Sequence, residues 1–216
     1  NNKLTNNHSQ RWIQFPKTPG KVPFFSNHEN YIKWIDENIQ NGNMHNIRHF
    51  WSSIRPNGPK RPHILDRLEL RICDYVSDID LLLAITALLE LRVIHLFENL
   101  KTSDPLITSD FSMDQLTKIC DQNEIQAAQN SLDAELIHWR DGKKVICREW
   151  INNVLADLSS TAEKLNMNYL LKPIYKVLEE GNQSMKWIKQ YKEGLSIEDI
   201  MKCAVQDMIK SEEERI

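Results

Sequence analysis

A chain of 216 residues with 41% hydrophobic and 26% charged content can bury a core, which excludes a disordered tail and bounds the architecture at one domain or one and a half. The net charge of −3 lacks the basic excess that marks a nucleic-acid binder, so an anionic ligand would need a local cluster of cations. The four cysteines, Cys73, Cys120, Cys147 and Cys203, form no CxxC pair and suggest neither a disulfide framework nor a zinc site; a reducing cytoplasm is the compartment they fit.

In chain order, QRWIQF (10 to 15) reads as a short strand closed by the proline-rich loop PKTPGKVP. Ser26 with Glu29 forms a capping-box pattern, and Tyr31, Trp34, Ile35 and Ile39 supply the stripe of an amphipathic helix that stops at Asn41-Gly42. IRHFWSSI (47 to 54) reads as a strand, RPNGPKRP (55 to 62) as a rigid basic loop, and RLELRI (67 to 72) as a second strand. A long helix over residues 79 to 99 is apolar nearly all round, so burial is expected, with Asp78 and Asp80 as acids complementing its dipole. Its apolar run is broken by Glu90, Arg92 and His95 and falls short of the ~20 residues that span a bilayer, so no membrane association is expected.

From about residue 110 the patterns are helical: a cap at Ser112 with Gln115, a helix over residues 123 to 138, a turn at DGKK, the helix REWINNVLADLSSTAEKL, and further helices ending at Gly181 and Gly194. Trp34, Trp139, Trp150 and Trp187 fall on helical stripes and read as core. The opening residues NNKLTNNHSQ carry neither the basic start nor the apolar run of a signal peptide, and the lack of an initial methionine suggests a fragment or a processed chain.

The chemistry-bearing pattern lies between residues 48 and 71, where Arg48, Arg55, Lys60, Arg61, Arg67 and Arg71 are accompanied by only two acids, Asp66 and Glu69. In an extended chain Leu68, Leu70 and Ile72 share one face and Arg67, Glu69 and Arg71 the other. A solvated sheet face is the bland account of those charges, as an exposed loop cation is of Arg55. The sharper account is a carboxylate and arginines converging on a metal-bound phosphate, since magnesium takes one or two carboxylates plus phosphate oxygens and arginine offers forked donors. The six glycines are all isolated, so no glycine-rich phosphate loop can be written and side chains must hold any phosphate. His49, Trp51 and His63 are candidates to line a cleft, with an interior strand position an equal account of Trp51.

The run WSSIRPNGPKRPHILDRLELRICDYVSDIDLLLAITALLE resembles the C-terminal core of bacterial carboxylate-amine ligases, most of all the glutamate-cysteine ligases of the branch usually labelled cyanobacterial. FPKTPGKVPFFSNHENYIKWI upstream and SLDAELIHWRDGK, REWI and LEEGNQSMKWIKQYKEG downstream agree, so the resemblance covers nearly the whole chain. That family is in turn similar to glutamine synthetase, in which an Arg-x-Glu-x-Arg strand precedes an Asp and a long apolar helix. The resemblance implies that Glu69 is a magnesium ligand, that Arg71 holds the transferring phosphoryl group, that Arg55 contacts nucleotide phosphate, and that Arg67 is a further phosphate contact. Related ligases often place an Arg and a Gly near the positions of Gln129 and Ser131, a departure in this chain. The family's N-terminal half, with a strand rich in metal-binding glutamates, has no counterpart in these residues, and the remaining metal ligands are expected there.

These readings imply an α+β fold with a glutamine-synthetase-like antiparallel sheet backed by helices. Residues 1–100 would be the C-terminal part of the catalytic core and 101–216 an all-helical region packed on it. The implied activity is ATP- and Mg2+-dependent ligation of the γ-carboxylate of glutamate to the amine of cysteine through an acyl phosphate, in the cytoplasm. The implied partners are those small molecules and the missing N-terminal half, with neither nucleic acid nor membrane; homo-oligomerisation is left open. Another carboxylate-amine ligase with a different acceptor, and a non-catalytic helical interaction module, are the alternatives.

Overall fold

The computed structural model describes residues 22–46, 54–56, 68–71 and 76–213. The strand expected at 10 to 15, most of the strand at 47 to 54, the loop residues 57 to 62, and Arg67, His49, Trp51, His63 and Cys73 lie outside the described residues. Among the described residues helices dominate, with two small antiparallel sheets, an α+β architecture. The chain divides into two compact units between Tyr75 and Val76.

In the first unit, helix α1 (His28–Gln40) begins one residue later than the Ser26/Glu29 pattern predicts. The Asn27 side chain accepts the Asn30 amide at 2.9 Å and so takes the capping position, while Ser26 Oγ accepts from Asn30 Nδ2 at 2.8 Å. The apolar stripe buries Tyr31 and Ile35, with Met44 folded back over them. Phe25 closes the cluster edge-on, its ring 5.3 Å from Tyr31 and 5.5 Å from Trp34. Strands β1 (Ile54–Pro56) and β2 (Leu68–Leu70) pair antiparallel. Two corrections follow. Arg55 and Pro56 belong to a strand rather than to the start of a loop, and Leu68, expected on a core face, is 55% exposed.

The second unit is organised around α2 (Ile79–Glu98), whose start is fixed by Asp78 accepting the amides of Asp80 at 2.8 Å and Leu81 at 3.4 Å. One side of α2 buries Ala84, Ala87 and Leu91 against α4 (Cys147–Lys164) and α5 (Lys172–Glu180), which contribute Leu155, Leu158, Ala162, Ile174 and Leu178. Small residues on α2 let the neighbouring helices approach, and the larger side chains interlock from the other side. The expectation that α2 is buried all round is corrected: Leu82, Leu83 and Phe97 are exposed. No helix of the described residues is long and apolar enough to cross a membrane.

The expected all-helical region is also corrected. A single helix, α3 (Met113–Asn130), runs from the Ser112/Gln115 capping box, and the residues assigned to a helix over 123 to 138 instead leave it for a hairpin of β3 (Glu135–Ile137) and β4 (Lys144–Ile146). Asn123 of α3 holds β3 from the side, donating to the Ile137 carbonyl and accepting its amide, both at 2.8 Å. Trp139, read as helical core, stands in the hairpin connection with the Arg140 guanidinium 5.0 Å from its ring centre. Gly142 takes a φ of 73°, which favours glycine, and a Cβ there would lie 2.8 Å from the tip of the Phe111 ring, which would have to shift. Helices α6 (Gln183–Lys192) and α7 (Ile197–Glu213) complete the unit.

Ser131 follows α3 with a φ of 55°, a left-handed conformation that glycine favours. Its hydroxyl accepts from Asn182 Nδ2 at 2.6 Å, a bond that offsets part of the strain. Ser131→Ala, which removes the bond and keeps the Cβ, should therefore destabilise by about 1 kcal/mol. Ser131→Gly should lie at or above the parent stability, because relief of strain opposes the lost bond. Urea unfolding of the three proteins checks the order; an alanine variant as stable as the glycine variant would show that the strain argument does not hold.

Candidate active site

The first unit places a charged cluster by strand register rather than by spacing along one strand. Antiparallel pairing sets Arg55 opposite Glu69, with Ile54 opposite Leu70 and Pro56 opposite Leu68. Arg55 donates to Glu69 Oε2 through both Nε, at 3.1 Å, and Nη2. Arg55 is only 6% exposed, so the exposed-loop account of it is excluded. Arg71, just beyond β2, brings its Nε to 4.0 Å from the other carboxylate oxygen, Glu69 Oε1. Arg55, Glu69 and Arg71 are thus brought together, while Arg67 lies outside the described residues.

Burial fixes the cost of this arrangement and therefore its chemistry. A guanidinium removed from water needs a counter-ion, and Glu69 supplies one to Arg55. With the cation of Arg71 beside the same carboxylate, the three groups carry one net positive charge, suited to an anion presenting several oxygens. Tyr31, which the sequence marks only as part of a helical stripe, also belongs to this environment. Burial pushes its phenol up, Arg55 and Arg71 pull it down and Glu69 raises it, with burial prevailing, so the hydroxyl stays protonated at neutral pH. An aromatic stripe gives no signal for this; only the hydroxyl, which seeks a polar neighbour when buried, hints at it.

Among the described residues no group of three or more His, Cys, Asp and Glu is placed to hold a metal ion. Among the described residues, Glu69 is the carboxylate that pairs with Arg55 and Arg71. Within the second unit, Asp78 caps α2, Asp133 pairs with Arg148 at 2.9 Å, and Glu135 pairs with Lys144 at 2.6 Å.

The profile of glutamate-cysteine ligase family 2 (GCS2) matches residues 2–211. The chain belongs to that family. A Legionella pneumophila (strain Corby) protein named "Putative glutamate--cysteine ligase 2-2" is 23% identical over 193 residues, 89% of this chain and 48% of that protein. A Gloeobacter violaceus protein named "Putative glutamate--cysteine ligase 2" is 27% identical over 82% of the chain and 45% of the relative. One of the same name from Mycobacterium avium is 30% identical over 73% of the chain and 39% of the relative. The chain spans about half the length of the curated relatives it matches.

Proposed function

We propose that this chain carries phosphate-handling residues of an ATP-dependent glutamate-cysteine ligase built on a glutamine-synthetase-like core, acting in the cytoplasm at the first step of glutathione biosynthesis. The supporting observation is the pairing of buried Arg55 with half-buried Glu69, with Arg71 beside it, in a member of the GCS2 family. In the proposed reaction a γ-carboxylate oxygen of glutamate attacks the γ-phosphorus of ATP and ADP leaves. The cysteine amine then attacks the acyl carbon, losing a proton as inorganic phosphate departs. Such transfer depends on positioning and charge stabilisation more than on a protein nucleophile. Arg55, held by Glu69, presents a preset fork to nucleotide phosphate; Arg71 stabilises the charge on the transferring group; Arg67 adds a further phosphate contact.

Glu69 fits magnesium as a single carboxylate ligand, because magnesium commonly takes one or two carboxylates with water and phosphate oxygens. When bound there, the ion would neutralise phosphate charge and act as a Lewis acid. The two hydrogen bonds donated by Arg55 favour a second role for Glu69, that of the carboxylate orienting Arg55.

Coupled ADP release by the intact protein, with glutamate and either cysteine or another amine as acceptor, tests the reading. Arg71→Lys should lower kcat by about 10-fold or more, since an ammonium cannot replace a fork at a developing charge. Equal turnover with other amines would point to a different carboxylate-amine ligase. Absence of both ADP release and nucleotide binding would leave only a helical interaction module.

A further inference from the structure

Helix α7 is apolar on two sides, and only one of them is buried. Ile200 and Ala204 are covered, whereas Ile197, Met201, Val205 and Ile209 are 69%, 45%, 50% and 47% exposed. Recurring every fourth residue, these four form one continuous stripe. The apolar arc of α7 thus spans about half its circumference, well beyond the ~100° that a surface helix buries. Helix α6 repeats the pattern, with Ile188 and Tyr191 exposed one turn apart. Trp187 and Gln190 of α6 line one cavity with Ala204 and Asp207 of α7, which fixes the sides by which the two helices meet. Counting about 100° per residue from those sides, in an antiparallel helix pair, sets Ile188 and Tyr191 on the same side of the hairpin as the α7 stripe.

Large apolar side chains exposed on one face in this number amount to roughly 600 Å2, and two such faces together reach the ~1,200 Å2 at which stable interfaces begin. The charges select the occupant. Helix α6 carries three lysines and no acid, while α7 carries five acids against two lysines. The pairs Lys186–Glu180, Lys189–Glu193 and Glu198–Lys202 are exposed and therefore weak, and they leave both helices open to a partner's charge. An anionic lipid surface would meet the acids of α7, and a peptide of one sign would be repelled by one of the two helices. A second copy, turned about a two-fold axis parallel to the helices, sets each basic α6 over an acidic α7. We propose that this chain forms a homodimer in which the α6–α7 hairpins of two copies pack face to face as a four-helix bundle, α6 of each copy against α7 of the other. The surface lies wholly within the second unit, and the inference does not rest on the ligase reading.

Sedimentation equilibrium of the intact protein tests this. A dimer with a Kd on the order of 10 μM is expected. Met201→Glu combined with Val205→Glu should weaken it at least about 10-fold, because uncompensated carboxylates would then be buried between the copies. Both positions are about half exposed in the single chain, and circular dichroism verifies that the double variant keeps its fold. A second set of variants reads the arrangement. Lys189→Glu with Lys192→Glu makes α6 acidic, and Glu198→Lys with Glu212→Lys makes α7 basic. Each of these proteins alone should self-associate at least about 5-fold more weakly than the parent, whereas their equimolar mixture should recover association, since every helix again meets its opposite. The proposal is overturned by a parent protein that stays monomeric at ~100 μM, as it would if another segment of the intact protein covered the stripe. Parental association of the Met201 and Val205 double variant, or a mixture that associates no better than its components, overturns it equally.

Discussion

Glu69→Gln in the intact protein should lower kcat/KM for ligation by about 10²-fold or more and should also lower the unfolding midpoint. The first effect follows from the proposed site: an uncharged amide is a weak magnesium ligand and a poorer anchor for a guanidinium that must point at phosphate. The second follows from burial. Arg55 is 6% exposed and donates twice to Glu69, so the substitution weakens the ion pair of a buried cation. Removing one partner of a fully buried pair costs ~3–5 kcal/mol. The Glu69 side chain is 34% exposed and an amide oxygen still accepts a bond, which reduces the expected cost to about 1–2 kcal/mol. Magnesium titrations separate the two roles of Glu69: a ligand role weakens the apparent affinity for the ion, whereas an anchoring role raises the KM for ATP at unaltered magnesium dependence. Parental kinetics together with parental unfolding would remove Glu69 from the site altogether.

The sequence makes the ingredients of this cluster legible but not its geometry. Alternation along residues 67 to 72 marks Glu69 and Arg71 as sharing a face, because side-chain direction in a strand has a period of two. Arg55 is recruited across the sheet by pairing between positions fourteen residues apart, and neither its burial nor its bond to Glu69 leaves a local trace. The same division holds elsewhere. The start and length of α2 follow from Asp78 and a continuous apolar pattern, while the side that stays exposed is set by tertiary packing. The hairpin of β3 and β4 escapes a reading based on helical periodicity because its strands have only three residues each. Asp141-Gly142, flanked by Glu-Leu-Ile and Lys-Val-Ile, is nevertheless the dipeptide that short hairpins favour and was the available signal.

Leu91→Ala should be the most destabilising single truncation of α2, by about 2–5 kcal/mol. Leu91 is fully buried in the cluster that joins α2 to α4 and α5, and its neighbours include Leu155 and Leu158, themselves at 1% and 0% exposure. Side chains held on several helices at once cannot all move into the vacated space, so a cavity remains and its lining loses packing contacts. For a unit of this size such a loss corresponds to a fall in melting temperature on the order of 10 °C. Leu91→Met conserves most of the volume and should cost less than ~1.5 kcal/mol. Leu82→Ala, on the opposite side of the same helix at 48% exposure, removes identical atoms but much less buried surface and should cost well under half as much as Leu91→Ala. Denaturant unfolding of the three variants tests the assignment of faces, since helix propensity favours alanine equally at both leucine positions and cancels in the comparison. Equal losses at Leu82 and Leu91 would mean that both sides of α2 are covered in solution and that the core described for this unit accounts for only one of them.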